Sequence, residues 1–382
     1  MDVQALPLEE IPILAGADDS QAISIPPEEI QTTFSLRYLD LISAPLSSRI
    51  ISTSDEWFAS AANLIKPAAP IRRANTFTHA GAWYDGWETR RHNPRPFDWV
   101  IIRLGVASGQ IAGVEIDTAF FDGNHAPEIA VQAAYCEDDE VVKGWGDGES
   151  EDEGDWEWVL RRQECGPSRR HAWSLPGGLT DKAYTHVRLC MYPDGGIARF
   201  RLFGRAVPIL PEKDDAELDL AASQNGGLAV ACSDQHFGVI SNLLLPGRGK
   251  DMGDGWETKR SRGQGHVDWV IVKLGAEGEL DRLVIDTAHF RGNFPQSVRV
   301  EGICWEGRPE QEPTGTTSAQ ESWTEVLGVS KCGPDKEHEF GRDVLMGYGV
   351  REGQTFTHLK LIIIPDGGVK RFRAWGKRKR KD

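Results

Sequence analysis

The chain has 382 residues, enough for two domains of about 190 residues that each bury a core without disulfide staples. Its 43 Lys and Arg stand against 58 Asp and Glu, a net charge of -15, which argues against nucleic acid or an anionic membrane as partner, since both select a basic face. No apolar run reaches the ~18 residues of a membrane span, and the start lacks the basic segment and apolar run of a secretory signal, so a cytoplasmic setting is expected. The cysteines at 136, 165, 190, 232, 304 and 332 are too scattered for a disulfide scaffold and show no CxxC spacing; most are expected to be buried thiols.

In chain order, residues 1–24 read as an N-terminal extension and residues 25–207 as a first domain. A linker rich in proline and charge follows at 208–214, then a second domain at 215–378 and a basic tail at 379–382. The closing KRKRKD reads as a solvated tail, with a nuclear-targeting patch as the other reading. Short helices are expected at Trp57–Ile65 and Phe237–Leu244, the first capped by Ser54 or Asp55. Strands are expected at WVIIRLG (Trp99–Gly105), GVEIDTAFF, EIAVQAAY, HVRLCMY and ARFRLFG, short bursts rich in β-branched and aromatic residues. In HVRLCMY, Val187, Leu189 and Met191 face one way and Arg188 and Cys190 the other. The PDGG after it suggests a hairpin. Glu137–Asp155, acidic and glycine-bearing, and Gly307–Ser322 in the second half look like solvated loops.

The chain is written twice. Leu39-Asp40-Leu41 returns as Leu218-Asp219-Leu220, DGWETRR from Asp85 as DGWETKR from Asp254, and EIDTAFFDGN from Glu115 as VIDTAHFRGN from Val284. The halves close on THVRLCMYPDGGIARFRLFG and THLKLIIIPDGGVKRFRAWG. A repeat this long is a tandem pair of domains and not a short-period solenoid. Two all-β units of this size suggest two sandwiches, with a jelly roll as the strand arrangement.

No GxSxG, HExxH, GxGxxG or GK[ST] loop is present, so the polar residues kept in both copies carry the candidate chemistry. Two readings of the DGWET motif stand together. In one, Trp87 and Trp256 plug the sandwich end while acid and base pair with each other. In the other, Glu88 and Glu257 move protons, and Asp85, Arg90, Arg91 and Arg260 bind substrate, the arginines gripping a planar anion. Asp117, Asn124 and Asn293 are candidates for recognising polar substrate groups, or bland acceptors and turn residues. His125, His186 and His289 are proton-transfer candidates, or satisfied structural histidines. The first copy is preferred for carboxylate recognition, because Lys259 lacks the paired fork of Arg90.

GWETRR with DWVIIRLG and EIDTAFFDGNHAP, together with GWETKR, DWVIVKLG and VIDTAHFRGNFP, closely resembles the allantoicase family over nearly the whole chain. The resemblance implies an all-β protein of two tandemly repeated jelly-roll sandwiches like galactose-binding domains. It further implies hydrolysis of allantoate to ureidoglycolate and urea in purine degradation, and a homo-oligomer. On that expectation the arginines take the carboxylate, Asn124 or Asp117 the ureido groups, and Glu88 or a histidine the proton. No organic cofactor is needed; no metal is the preferred reading, with a divalent cation on the ureido carbonyl kept as the alternative. A non-enzymatic carbohydrate or small-ligand binding protein is the competing function.

Overall fold

The computed structural model describes residues 22–35, 37–145, 154–211, 213, 216–305 and 323–379. The extension up to residue 21, the Gly307–Ser322 segment and the last tail residues lie outside the described residues. Two antiparallel β-sandwiches follow each other along the chain. In the first, one sheet runs in the order Ile23–Ile25, Arg170–Ser174, Ser108–Asp117, Arg199–Val207, Leu39–Asp40. The facing sheet runs Glu157–Glu164, Glu128–Ala134, His186–Tyr192, Asp98–Arg103, Arg49–Thr53. Each copy is thus a jelly-roll sandwich, and the chain is all-β apart from short helical turns.

Alternation along the strands builds the core. Val187, Leu189 and Met191 meet Val100, Ile102, Val114 and Ile116 between the sheets, while Cys190 turns outward onto Phe97, Trp99 and Tyr192. That outer face is covered in part by the segment expected as a solvated loop. Asp139–Gly144 is a short helix, capped where the Asp138 side chain accepts from the Glu140 N–H, and it buries Val142. Residues 146–153 lie outside the described residues. On the other flank Phe34 stacks on Phe203 with ring centroids 4.7 Å apart. A Cβ at Gly113 would stand 2.2 Å from the Phe34 ring, so this close seating requires glycine there.

The second sandwich differs in how its strands are joined. Asp268–Asp286, a single strand of 19 residues, replaces the two strands Asp98–Arg103 and Ser108–Asp117. Its first half pairs with Leu228–Cys232 and Phe356–Ile364, its second with Glu337–Gly341 and Arg371–Arg378, so both sheets hang on one continuous strand. The two sandwiches touch. Gln224 donates to the Leu46 and Gly105 carbonyls at 3.2 and 3.0 Å, and Leu245 of the second copy is buried in the core of the first.

Three sequence expectations need correction. PDGG is not a hairpin turn: His186–Tyr192 and Arg199–Val207 belong to opposite sheets, so the segment crosses the sandwich end. The expected helices shrink to 3-10 turns at Ala61–Asn63 and Ile240–Leu244, and the first is capped by Ser60, not by Ser54 or Asp55. Only Cys165 and Cys190 of the six thiols are buried, and Cys304 is exposed. Among the described residues no helix is long and apolar enough to cross a membrane.

Candidate functional site at the end of the first sandwich

DGWETRR closes the end of the first sandwich at which PDGG crosses. Trp87 and Glu88 form a two-residue strand against Ile197 and Gly196. Gly86 is required there, because a Cβ would meet the Ile197 carbonyl oxygen at 2.5 Å. The Trp87 side chain is fully buried, and its indole N–H donates to the Asp55 carbonyl at 2.8 Å. The acid and bases of the motif do not pair with each other. Asp55 accepts from the Arg90 backbone N–H at 2.6 Å and from its Nε at 3.1 Å, and Arg90 also lies over the exposed Trp57 ring at 5.4 Å. Asp194 of PDGG takes Arg91 Nη1 at 2.7 Å and the His92 N–H at 2.8 Å. Both arginines expected to hold a substrate carboxylate therefore already hold carboxylates of the protein.

Asp85, also expected to touch substrate, is the centre of a buried charge cluster. Its carboxylate accepts from Arg199 Nη2 at 2.7 Å, the Ile71 N–H at 3.1 Å and Lys66 Nζ at 3.2 Å. Burial works to raise its pKa, but the Arg199, Ile71 and Lys66 contacts outweigh that and hold it below the usual carboxylate range.

Glu88 differs from these paired acids. It is 7 % exposed and Asn124 donates Nδ2 to its Oε1 at 2.7 Å. Burial pushes its carboxyl above the usual value, opposed by the Asn124 hydrogen bond and the nearby Arg91 charge. An upward shift moves a carboxyl toward the role of a proton donor, which a fully solvated carboxylate fills less well. His125 adjoins it, forming an isolated bridge with Gly196, the backbone partner of Glu88, and placing Nδ1 3.2 Å from the Asp122 carbonyl. Asp117 stands on the strand beside Arg199, its carboxylate accepting the Ala119 N–H at 2.8 Å; burial raises its pKa as well.

A cavity of about 150 Å³ opens beside this cluster, lined by Arg72, Arg73, Trp83, Asp85, Phe120 and Asn124 among others. Its outer wall is the stretch between Pro67 and Tyr84. A miniature hairpin, Phe77–Thr78 on Gly81–Ala82, closes that stretch, and the Ile71 N–H roots it on Asp85. Phe120 in the opposite wall is held at φ 72°, a left-handed conformation that costs a bulky residue about 1–3 kcal/mol. Sequence reasoning missed this wall, since nothing in the second repeat matches it. The signal was the spacing: 21 residues separate Asn63 from Asp85 and only 11 separate Asn242 from Asp254.

The second copy repeats the frame with different fittings. Asn293 donates to Glu257 at 2.6 Å, but Glu257 is half-buried and Met252 Sδ lies 3.7 Å from the same Asn293 nitrogen. Asp254 is met by the ammonium of Lys370, and Asp286 is held by Arg248 in two hydrogen bonds of 2.8 and 2.9 Å. Ser261 takes Asp366 at 2.8 Å, as His92 takes Asp194, yet Arg260 makes no ion pair with Asp366 among the described residues. His289 occupies the place of Phe120 at φ 69°, with its N–H on Asp335 at 2.8 Å.

His186 is not brought to the site. It begins the strand that Tyr192 ends, and six steps of strand separate it from the PDGG end by about 20 Å. Fully buried, it sits between Thr185 Oγ1 at 2.9 Å and Asp139 at 3.1 Å. Burial, with the Arg103 charge, lowers its pKa to about 4 against the pull of Asp139. Its neutral ring ties the short helix to the sheet, a structural duty.

Comparison with known proteins agrees over most of the chain. A family model described as an allantoicase repeat matches twice, at residues 39–207 and 218–379. The allantoicase of Neurospora crassa is 57% identical over 94% of this chain and 96% of its own length. That of Saccharomyces cerevisiae is 52% identical over 88% of this chain and 93% of its own. The crystal structure of the Saccharomyces cerevisiae allantoicase superposes with a TM-score of 0.77 at 48% identity, covering 93% of this chain and 100% of that one.

Proposed function

We infer that this chain, which belongs to the allantoicase family, hydrolyses allantoate to ureidoglycolate and urea. The observation that carries the mechanism is the buried Glu88–Asn124 pair beside a small cavity, found at the end of the first sandwich. Allantoate bears a carboxylate and two ureido groups on one carbon. In the proposed reaction Glu88 gives its proton to the departing ureido nitrogen while the other ureido nitrogen pushes the C–N bond open, releasing urea and leaving an imine carbon. Water then adds its oxygen to that carbon and returns a proton to Glu88, so one water is consumed and the acid is restored. Asn124 orients the Glu88 carboxyl, and Arg91 and Asp194 brace the turn that carries it.

Urea release from allantoate by the purified protein is the direct test. Binding of a neutral sugar with no urea formed would hand the function to a carbohydrate-binding module instead. The proposal needs no organic cofactor and no metal. On this reading a chelator leaves the rate unchanged; loss of activity restored by one divalent cation would add a metal to the reaction. Cytoplasmic residence and assembly of identical subunits belong to the same proposal, checked by cell fractionation and by sedimentation.

Glu257→Gln separates the copies. With Glu257 half-buried and Met252 against its Asn293 partner, the variant is expected to keep most of the turnover. A loss as deep as that of the Glu88 variant would place the working site in the second repeat or across both.

A further inference from the structure

We propose that Arg72 and Arg73, carried by the stretch found only in the first repeat, receive the substrate carboxylate in the cavity facing Asn124. The inference rests on the reading of the chain as an allantoate hydrolase and adds the group that recognises the anion. The arginines of the repeated motif are engaged elsewhere, Arg90 with Asp55 and Arg91 with Asp194. Arg72 and Arg73 both line the cavity and are exposed, and neither makes an ion pair among the described residues. Arg73 lies over the Trp83 ring at 5.0 Å, a stacking that holds a guanidinium plane in place while leaving its edge free to donate.

The charge balance of the lining favours an anion. Asp85 is neutralised from behind by Arg199 and Lys66, which leaves Asp122, itself hydrogen-bonded by Ser168, as the one acid facing two free guanidinium groups. In a protein of net charge -15 this is a local positive spot able to orient an incoming carboxylate. At about 150 Å³ the cavity suits a small anion better than a drug-sized ligand, whose pockets run to about 300–1,000 Å³. Asn124 stands between this subsite and Glu88, so a substrate with its carboxylate on the arginines presents its ureido groups toward the acid. The second repeat has no counterpart: its loop is shorter, and its arginine at 248 is spent on Asp286.

The test compares wild type with Arg72→Gln, Arg73→Gln and the double variant, on allantoate and on its neutral carboxamide. Each single change is expected to raise KM for allantoate about tenfold, the loss of a charged hydrogen bond, with a smaller effect on kcat and none on the carboxamide. Both side chains are exposed, so unfolding temperatures stay put. An unchanged KM for allantoate, or an equal loss on the carboxamide, overturns the assignment. If the wild type releases no urea, the proposed reaction fails and not the subsite. Calorimetric titration with allantoate then decides, binding lost in the double variant supporting it and binding retained refuting it.

Discussion

Glu88→Gln is expected to slow urea release by about 10²- to 10⁴-fold, the usual contribution of a positioned acid or base, without loss of stability at neutral pH. The second half of that expectation comes from linkage. Burial raises the Glu88 pKa above its ordinary 4.5, so the fold prefers the protonated form. The stabilisation Glu88 contributes is complete below 4.5 and is lost as pH rises through the folded value. Gln is neutral at every pH, keeps the oxygen that accepts from Asn124, and escapes that loss. Thermal unfolding followed from acid to neutral pH should therefore show a smaller decline attributable to this position in the variant than in the parent. An inactive variant that also unfolds early would mean the acid was needed for the fold. A folded variant with near-normal turnover would remove Glu88 from the chemistry.

Arg199→Met should destabilise the fold by about 3–5 kcal/mol, the range for breaking one side of a buried ion pair. Arg199 is 3% exposed and makes four bonds: Nη2 to Asp85 at 2.7 Å, Nη1 to the Asp85 and Ala198 carbonyls at 2.8 and 2.7 Å, and Nε to the Ala68 carbonyl at 2.8 Å. Methionine fills the volume and satisfies none of them. Because Asp85 anchors the Ile71 N–H, the loss should reach the cavity wall, so the folded fraction should also show a raised KM. Denaturant titration measures the first effect and steady-state kinetics the second. A cost below about 1 kcal/mol, the level of an exposed pair, would show that Lys66 and Ile71 hold Asp85 unaided.

The duplication made the frame of the site legible. Residues such as Trp87, Glu88 and Asn124, with their copies Trp256, Glu257 and Asn293, stand out because the rest of the two halves has drifted. Strand faces were legible for the same reason that strands form, the period-two alternation of Val187, Leu189 and Met191. Partners remote in sequence were not. Asp55 is 35 residues from Arg90 and Asp194 is 103 from Arg91, and nothing local to DGWETRR says that its bases are already matched. PDGG announces a change of direction but not which sheet receives the next strand. The placement of His186 was open to simple counting, since it starts a strand whose other end leads to PDGG. The cavity wall was hidden by the very comparison that exposed the motif, because residues without a copy drop out of an alignment of halves.

Position 66 and its second-copy equivalent, 245, show how two originally equal halves became unequal. In the first copy Lys66 supplies an ammonium to Asp85; in the second, Lys370, between the strands Gly368–Val369 and Arg371–Arg378, meets the corresponding Asp254, and 245 is leucine. Relieved of that charge, position 245 buries its side chain in the sister sandwich. The pair interlocks: the half without a cation at this point holds an apolar peg for its twin, so neither half is a replica of the other. Exchanging the two segments would take from Asp85 one of its two counter-charges, leaving Arg199 alone, and set an ammonium against the core that the leucine fills.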